Sequence, residues 1–455
     1  MRLFALITLL SIYGRLTAQN PIITSQYTAD PTARVFNGKV YLYPSHDILA
    51  TPGHGRPGWF CMEDYHVFSS SDLVHWADHG VIISQDKTPW VKPASYSMWA
   101  PECVARNGKY YFYFPSTPRD SSHGKGFTIG VAIADSPQGP FIPRAEPIKG
   151  VHGIDPNVFI DKDGQAYLYW AEGNIYAAKL KDNMLELASE PMILQNLPGK
   201  GLKEGPFLFE HNGIYYLTYP HVRNRTECLE YATGTGPMGP FTVRGVIMDE
   251  SPGCWTNHQS IVQYQDQWYL FYHHNDLSPS FDKARSVRID SLFFNPDGTI
   301  QKVTPTLRGV GVTKATDYIE PDRYSRISNS DASIEFLDTT ARYRGWKTIF
   351  SGTDGWVQYN SVDFGAQPLH KLLLRISSAG GGTLEIHADA LEGPLIATIP
   401  IPAADTATGE EPAPAGGEGW RILTVPVLHF PQGIHHLFLK LKDDTRVEID
   451  WLRFE

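Results

Sequence analysis

Residues 155–170 read DPNVFIDKDGQAYLYW, a β-hairpin spelled out in sixteen positions. An acid, Asp155, precedes an apolar strand. Asp163-Gly164 supplies the positive φ angles of a tight turn, and an aromatic strand returns. One hairpin buries too little apolar surface to stand alone in water, so copies of it must stack. Four more stretches carry the pattern. They run from Asp30-Pro31 through Asn37-Gly38 to Val40–Tyr43, and from Ala100-Pro101 through Asn107-Gly108 to Tyr110–Phe114. The others run from Glu204-Gly205-Pro206 through Asn212-Gly213 to Tyr215–Tyr219, and from Asn257-His258-Gln259 through Gln265-Asp266 to Trp268–Tyr272. The starts at Pro31, Pro101, Pro156, Pro206 and Gln259 lie 70, 55, 50 and 53 residues apart, the recurrence of a repeat architecture.

A second pair of strands follows most of the hairpins. The pairs are Tyr65–Ser69 with Asp72–Trp76, Ile129–Ala134 with Ser136–Phe141, Cys228–Ala232 with Gly236–Phe241, and Ser286–Phe294 with Ile300–Val303. Four strands in each of five repeats predict an all-β fold, a five-bladed β-propeller over residues 19–311. From Thr313 the repeat is gone and short alternating strands take over, among them Trp356–Tyr359, Leu372–Ile376, Thr383–Ala388, Arg421–Val427, His436–Leu441 and Val447–Phe454. They predict a second domain over residues 312–455, a jelly-roll-like β-sandwich. Residues 401–419, rich in Ala, Pro, Gly and Glu, read as a surface loop.

Composition narrows the function. A chain of 455 residues suits two domains, and 42% hydrophobic against 19% charged residues excludes disorder. A net charge of −10 argues against nucleic acid or an anionic membrane surface as partner. The 23 Tyr, 22 Phe and 11 Trp suit strands and the flat apolar faces of sugars. Arg2, the apolar run from Leu3 to Tyr13, and Leu16-Thr17-Ala18 read as a signal peptide over residues 1–18, which places the mature protein in the periplasm or outside the cell. No later apolar run is long enough for membrane insertion. Cys61, Cys103, Cys228 and Cys254 form no C-x-x-C pair, so zinc is not expected; two disulfides in any of three connectivities and four free core thiols are both open. Asp161–Gly164 and Asn295–Gly298 lack the terminal Glu of a calcium loop and read as turns.

In a propeller the first strand of each blade lines the central channel, so residues heading the hairpins share one cavity. Asp30 and Asp155 sit at one register, each directly before Pro; Glu204 is displaced by one residue, and Ala100 and Asn257 or His258 occupy the remaining blades. One Asp before Pro merely opens a turn. Three acids at one register in five repeats point to a site. Carboxylates gathered in a pocket suit hydrolysis of a glycosidic bond, one protonated to give its proton to the leaving oxygen and another ionised to activate water. A third raises the pKa of the acid by like-charge repulsion. The partner would be a polysaccharide or oligosaccharide. His46, at the end of the first returning strand, is placed to line the same pocket. The stretch from Ile48 to Asp64, with Gly53, Gly55 and Gly58, is expected to close one face and admit only a terminal or side-chain sugar.

Ordered motifs carry a family resemblance. Thr28-Ala29-Asp30-Pro31, Met98-Trp99-Ala100-Pro101-Glu102, Gly153-Ile154-Asp155-Pro156, Lys203-Glu204-Gly205-Pro206 and Trp268–His273 together resemble glycoside hydrolase family 43, over Ala29 to Val303. The resemblance implies that Asp30 is the general base, Glu204 the general acid, and Asp155 the residue that tunes and orients Glu204. It implies inversion at the anomeric carbon, with the Asp30 and Glu204 carboxyls about 6.5–9.5 Å apart. It further implies Trp99 and Phe207 as walls of the sugar pocket, Arg285 reaching substrate hydroxyls, and His273 near the channel centre beside a metal ion or water cluster. No cofactor is required. The implied activity is an exo-acting α-L-arabinofuranosidase or β-xylosidase, with β-D-galactofuranosidase or another exo-glycosidase as the alternative on the same scaffold. A non-catalytic glycan-binding propeller is the alternative of a different class, and retention of the three acids opposes it. A retaining fructan-cleaving propeller would need an Asn-Asp-Pro-Asn-Gly pattern that the first hairpin lacks. The C-terminal region, through Gly355–Tyr359, Val362–Phe364, Gly433–Leu437 and Ile449–Leu452, resembles carbohydrate-binding module family 6. There Glu320 and Asp450 are candidates for a structural calcium site, and Trp420 and Tyr359 for sugar platforms. The family's opening Glu-Ala-Glu is Glu320-Pro321-Asp322 here, and the loop before Trp420 is enlarged.

Overall fold

The computed structural model describes residues 20–251, 253–339, 345–403 and 419–455. The expected signal peptide at 1–18 and most of the expected loop at 401–419 lie outside the described residues. The protein is all-β, and among the described residues no helix is long and apolar enough to cross a membrane. It divides into two compact units, one of Gln19–Val310 and one holding Gly311–Glu455.

Each predicted hairpin is present, and its turn chemistry explains it. Asn37-Gly38, Asn107-Gly108, Asn212-Gly213 and Gln265-Asp266 all hold left-handed φ at both positions, as a two-residue hairpin turn requires. The 155–170 hairpin differs from expectation. In its turn only Gly164 is left-handed, at φ +85, while the Asp163 carboxylate accepts the Gln165 N–H at 2.9 Å. The Gly164 N–H closes onto the Asp161 carbonyl at 2.8 Å, so this turn is wider than two residues.

Among the described residues, the first unit holds five antiparallel sheets in sequence order. Sheet one is β1 (Tyr27–Phe36), β2 (Lys39–Asp47), β3 (Asp64–Ser70) and β4 (Ala77–Ser84). Sheet two is β5 (Glu102–Arg106), β6 (Lys109–Ser116), β7 (Thr128–Ala134) and β8 (Ile142–Pro143). Sheet three is β9 (Ile154–Ile160), β10 (Ala166–Ala171), β11 (Ile175–Lys179) and β12 (Met192–Ile193). Sheet four is β13 (Phe207–His211), β14 (Ile214–Val222), β15 (Glu227–Gly234) and β16 (Phe241–Met248). Sheet five is β17 (Ser260–Tyr264), β18 (Gln267–His274) and β19 (Ser286–Leu292).

All four outer strands were misplaced by the sequence reading. Residues 136–140 and 236–240 are turns, closed by the Gly139 N–H on the Ser136 carbonyl at 3.0 Å and the Gly239 N–H on the Gly236 carbonyl at 3.1 Å, and the strands that follow begin at Ile142 and Phe241. Asp72–Trp76 is a turn, because the Asp72 carboxylate takes the N–H groups of Val74 and His75 at 2.9 and 2.8 Å and holds the chain out of the ladder. The fourth strand begins after it, at Ala77. Ile300–Val303 makes a single bridge, Phe294 to Ile300, so sheet five has three strands.

The first strands adjoin in succession, β1 to β5, β5 to β9, β9 to β13 and β13 to β17, and β17 returns to β1. Five apolar clusters fill the spaces between successive sheets. Tyr43, Tyr65 and Phe112 join sheets one and two; Val131, Leu168 and Trp170 join two and three. Tyr169, Leu217 and Tyr219 join three and four; Phe209, Leu229 and Leu270 join four and five. Leu42, Phe68 and Phe271 join five to one. Both faces of each sheet are therefore covered, which is why β10 is buried at every position. Each fully buried large side chain contributes about 1.5–3 kcal/mol by leaving water.

Among the described residues, the second unit has two sheets. One contains Trp356–Asp363, Ile434–Leu441, Gly382–Ala388 and Leu395–Ile401; the other contains Trp346–Phe350, Val447–Phe454, Lys371–Ser377 and Arg421–Pro426. One apolar cluster, including Tyr359, Leu374, Ile386, Leu439 and Ile449, draws on both sheets. Tyr359 is wholly buried in it, which rules it out as a sugar platform. Trp420 carries the Arg375 guanidinium over its ring at 4.7 Å. The four cysteines are buried free thiols.

Candidate active site

Two of the three acids are presented by the same backbone device. Asp30 and Asp155 hold φ values of +44 and +57, each at a shift in strand register. A non-glycine residue in the left-handed region costs about 1–2 kcal/mol, and the bulge turns its side chain out of the pleat. In the fourth hairpin the residue before Pro206 is Gly205, at φ +50. A Cβ there would stand 2.8 Å from Pro220 Cδ and 3.2 Å from His258 Cε1. That register has no room for a side chain, which accounts for the acid standing one residue earlier, at Glu204. Asp155 Oδ2 accepts the Gly205 N–H at 2.9 Å, and Gln259 Nε2 donates to the Gly205 carbonyl at 2.9 Å.

Asp30, Asp155 and Glu204 line one pocket of about 560 Å³ out to its mouth, together with Trp99, Trp255 and Arg285. Trp59, Phe60 and Met62 also line it, so the stretch from Ile48 to Asp64 walls the pocket as expected. Trp59 keeps 38% of its surface exposed, and Phe60 lies 4.8 Å from the Arg285 guanidinium.

Arg285 is buried between two carboxylates. Its Nη1 and Nη2 donate to Asp30 Oδ1 and Oδ2 at 2.7 and 3.1 Å, and its Nε and Nη2 donate to Asp47 at 2.9 Å each. Ser45 Oγ donates to Asp30 Oδ2 at 2.7 Å. Burial pushes the Asp30 carboxyl up, but Arg285, then His273, His258 and Ser45, hold it at about 2. Asp30 is thus ionised throughout the neutral range.

The other acids shift the opposite way. Burial first, then the charges of Glu204 and Asp30, push Asp155 to about 7 against the pull of His258. Burial raises Glu204 as well; a hydrogen bond with Glu227 opposes the rise and the Asp30 charge adds to it. Glu204 is raised by the ionised base and by burial, whereas Asp155 is itself a group held near neutrality. Its direct contact is with the backbone of the turn that carries Glu204.

Three further sequence expectations change. His46 does not line the pocket. On β2 its neighbours Ser45 and Asp47 reach Asp30 and Arg285, and strand alternation sends His46 to the opposite face. There its Nδ1 meets Asp64 Oδ1 at 2.6 Å. Among the described residues, His46, Asp64 and His66 are metal-ligating side chains gathered within 4.8 Å, but His66 Nδ1 is likewise taken, by Asp78 at 3.0 Å, and the cluster satisfies itself. Phe207 is buried in the cluster between sheets four and five, with the Arg34 guanidinium 4.9 Å from its ring, and is no pocket wall. His273 is fully buried. Its Nδ1 accepts the Asp30 N–H at 3.1 Å and its Nε2 meets the Thr256 carbonyl at 3.1 Å, so both nitrogens are engaged and no lone pair is left for a metal. Burial holds it well below the usual histidine range, as a neutral ring that fixes the Asp30 backbone.

Several site residues escaped the sequence reading. Asp47 and Ser45 brace Arg285 and Asp30, whereas His258, already one of the two candidates heading the fifth hairpin, has its Nδ1 3.9 Å from Asp30 Oδ1. Glu227, at the head of β15, lies wholly buried beside Glu204. Its signal was an acid at the start of the strand run ECLEYA, residues 227–232, which also carries Glu230.

Residues 18–300 match the model of glycosyl hydrolases family 43, and residues 328–455 match that of carbohydrate binding module family 6. The chain is 38% identical over 334 residues to xylosidase/arabinosidase 43A of Humicola insolens, covering 63% of this chain and 99% of the relative. It is 28% identical over 475 residues to the arabinoxylan arabinofuranohydrolase of Bacillus subtilis (strain 168), covering 92% of this chain and 88% of the relative. It also resembles the solved structure of a β-xylosidase/α-arabinofuranosidase from a compost microbial metagenome in complex with xylotriose. That likeness has a TM-score of 0.57 and 36% identity, over 64% of this chain and 98% of the other.

Proposed function

We propose that this chain, which belongs to glycosyl hydrolases family 43, is an inverting, exo-acting glycosidase that removes terminal or side-chain arabinofuranose or xylose from plant polysaccharide. The observation that carries the reading is one pocket holding an ionised carboxylate, Asp30, and a carboxyl that burial raises above its ordinary range, Glu204. The names of the relatives from Humicola insolens and Bacillus subtilis support the sugar class. On this reading the five sheets are the blades of a five-bladed β-propeller, and the second unit is a β-sandwich.

Glu204 gives its proton to the glycosidic oxygen as the bond breaks. Asp30 takes a proton from the water that attacks the opposite face of the sugar. A carboxylate held near 2 is a weak base at rest, but water becomes strongly acidic once it bonds to an oxocarbenium-like carbon, so little basicity is demanded. Asp155 holds the Gly205 turn and thereby aims Glu204. Trp99 and Trp255 offer apolar faces to the sugar ring. Export through the segment at 1–18 completes the reading.

The test is a panel of aryl α-L-arabinofuranoside, β-D-xyloside and β-D-galactofuranoside, with the first-formed anomer read by proton NMR. Hydrolysis of one of the two pentosides with inversion is expected. Retention, or preference for the galactofuranoside, would replace the reading by one of its alternatives.

Calcium in the second unit is a further part of the proposal. Asp322 is buried with Oδ1 lacking a hydrogen-bond partner, and burial first, then Glu320 and Asp450 against the pull of Arg323, push it to about 7. The unsatisfied Asp322 oxygen, under the charges of Glu320 and Asp450, is the feature that favours a hard cation, whose task there would be structural. Calcium at about 100 times its Kd is expected to stabilise the unit by ~2.7 kcal/mol, read as a raised Tm that chelator reverses and Asp322→Asn removes. A Tm indifferent to both calcium and chelator would refute the site.

A further inference from the structure

Glu227 has no exposed surface, and among the described residues no side chain of opposite charge pairs with it. It opens β15 opposite Val222. Its N–H donates to the Trp255 carbonyl at 3.1 Å, and its Oε2 accepts the Asn257 N–H at 2.6 Å. Both strand end and carboxyl are therefore fixed. Its second oxygen, Oε1, has no donor, and the Glu227 and Glu204 carboxyls lie within hydrogen-bonding range of each other. An ionised carboxylate with an unfilled oxygen next to a second carboxylate is too costly to bury. A proton on Oε1, turned toward Glu204, resolves the conflict.

We infer that Glu227 is a positioning residue for Glu204, a neutral carboxylic acid that donates a hydrogen bond to the Glu204 carboxyl while Glu204 hands its own proton to the glycosidic oxygen. The inference rests on the reading of Glu204 as the general acid. Before transfer the bond joins two neutral groups and turns the proton-bearing oxygen of Glu204 toward substrate. As the glycosidic bond breaks, Glu204 becomes an anion and the bond becomes charge-assisted, about twice as strong. A bond that strengthens in the transition state raises kcat rather than lowering KM. The proton that leaves Glu204 ends on the leaving group; that of Glu227 stays where it is, and Glu204 is recharged from solvent after product departs.

The charged groups around the pair fit this role. Glu204 and Asp155 face Glu227, both acidic, and with burial they push it well above the carboxylate range. Asp30 and Arg285 act on Glu204 itself, and His258 acts on Asp155 and Asp30. The cation nearest the reaction, Arg285, is occupied by Asp30 and Asp47. A neutral donor at Glu227 is what keeps the Glu204 anion from being stranded among like charges.

The experiment compares Glu227→Leu and Glu227→Gln in the full chain, using a phenyl glycoside whose poor leaving group needs the acid. Kinetics are measured across pH, with thermal unfolding recorded for each variant. Glu227→Leu is expected to lose about 10–10²-fold in kcat with KM little changed, less than the 10²–10³ of a donor that touches the reacting oxygen. Its basic limb should move to higher pH, because the Glu204 anion has lost its donor. Glu227→Gln restores a donor at the same place and should recover most of the lost kcat. Wild-type kcat and an unmoved basic limb in Glu227→Leu would overturn the role. Equal losses in both variants without a pH shift would overturn it too, since packing alone would then explain them. Glu204→Gln, run in parallel, separates the two ideas: an active Glu204→Gln refutes the acid assignment, whereas an inactive one beside a normal Glu227→Leu refutes only the role of Glu227.

Discussion

Glu204→Gln is expected to cut kcat on substrates with poor leaving groups by about 10²–10⁴-fold, the worth of a general acid. The loss should shrink steeply for a dinitrophenyl glycoside, whose phenolate departs without a proton. Glutamine keeps the volume of the side chain and removes only the transferable proton, so the Gly205 turn, held by Asp155 and Gln259, should survive. The basic limb of the wild-type profile belongs to the same group. Glu204 sits above its ordinary value through burial and the Asp30 charge, and activity should fall as pH rises through that raised value. Asp155, near 7, and Glu227 titrate in the same cluster, so the limb reports the group as a whole. A uniform loss across good and poor leaving groups would show that Glu204 is not the proton donor.

Asp30→Asn should be as damaging, about 10²–10⁴-fold, but indifferent to the leaving group, because it removes activation of water. Folding is expected to hold, since Asp47 still takes Arg285 through two bonds of 2.9 Å. Arg285→Leu is a harsher change that strands both carboxylates. Asp30→Asn also has a stability signature. The folded carboxyl is depressed to about 2, so its contribution is present above the unfolded value of about 3.9 and is lost as pH falls toward 2. The variant should lose that part of the acid dependence in unfolding experiments between pH 4 and 2. Azide, which needs no deprotonation, should restore turnover to Asp30→Ala as an inverted glycosyl azide. A variant with full activity on water would remove Asp30 from the reaction.

Which features were legible in the sequence follows from the range of the interactions involved. Asn-Gly turns declare themselves because two neighbouring residues decide φ, and four of the five hairpins have the turn expected. Asp72–Trp76 was misread because a carboxylate capping two nearby N–H groups competes with the ladder, and alternation alone does not register it. His46 was misassigned by one position on β2. Period two sends Ser45 and Asp47 to Arg285 and Asp30, and only the register of the bulge at Ala29–Thr32 shows which set faces in. Phe207 was misjudged for the same reason, since it faces sheet five and not the pocket.

The sequence by itself determined the five hairpins, the all-β class, and the three acids that head three of them. Those follow from turn residues and strand period, which act over a few bonds. Tertiary structure decided the protonation states and the supporting cast. Asp30 is ionised because Arg285, 255 positions away, is brought against it, and Glu204 is raised because burial gathers it with Asp30 while Glu227 comes in from another strand. Charge and proton affinity depend on distance through space and exclusion of water. Both are fixed only when the first strand of sheet five comes back to the first strand of sheet one.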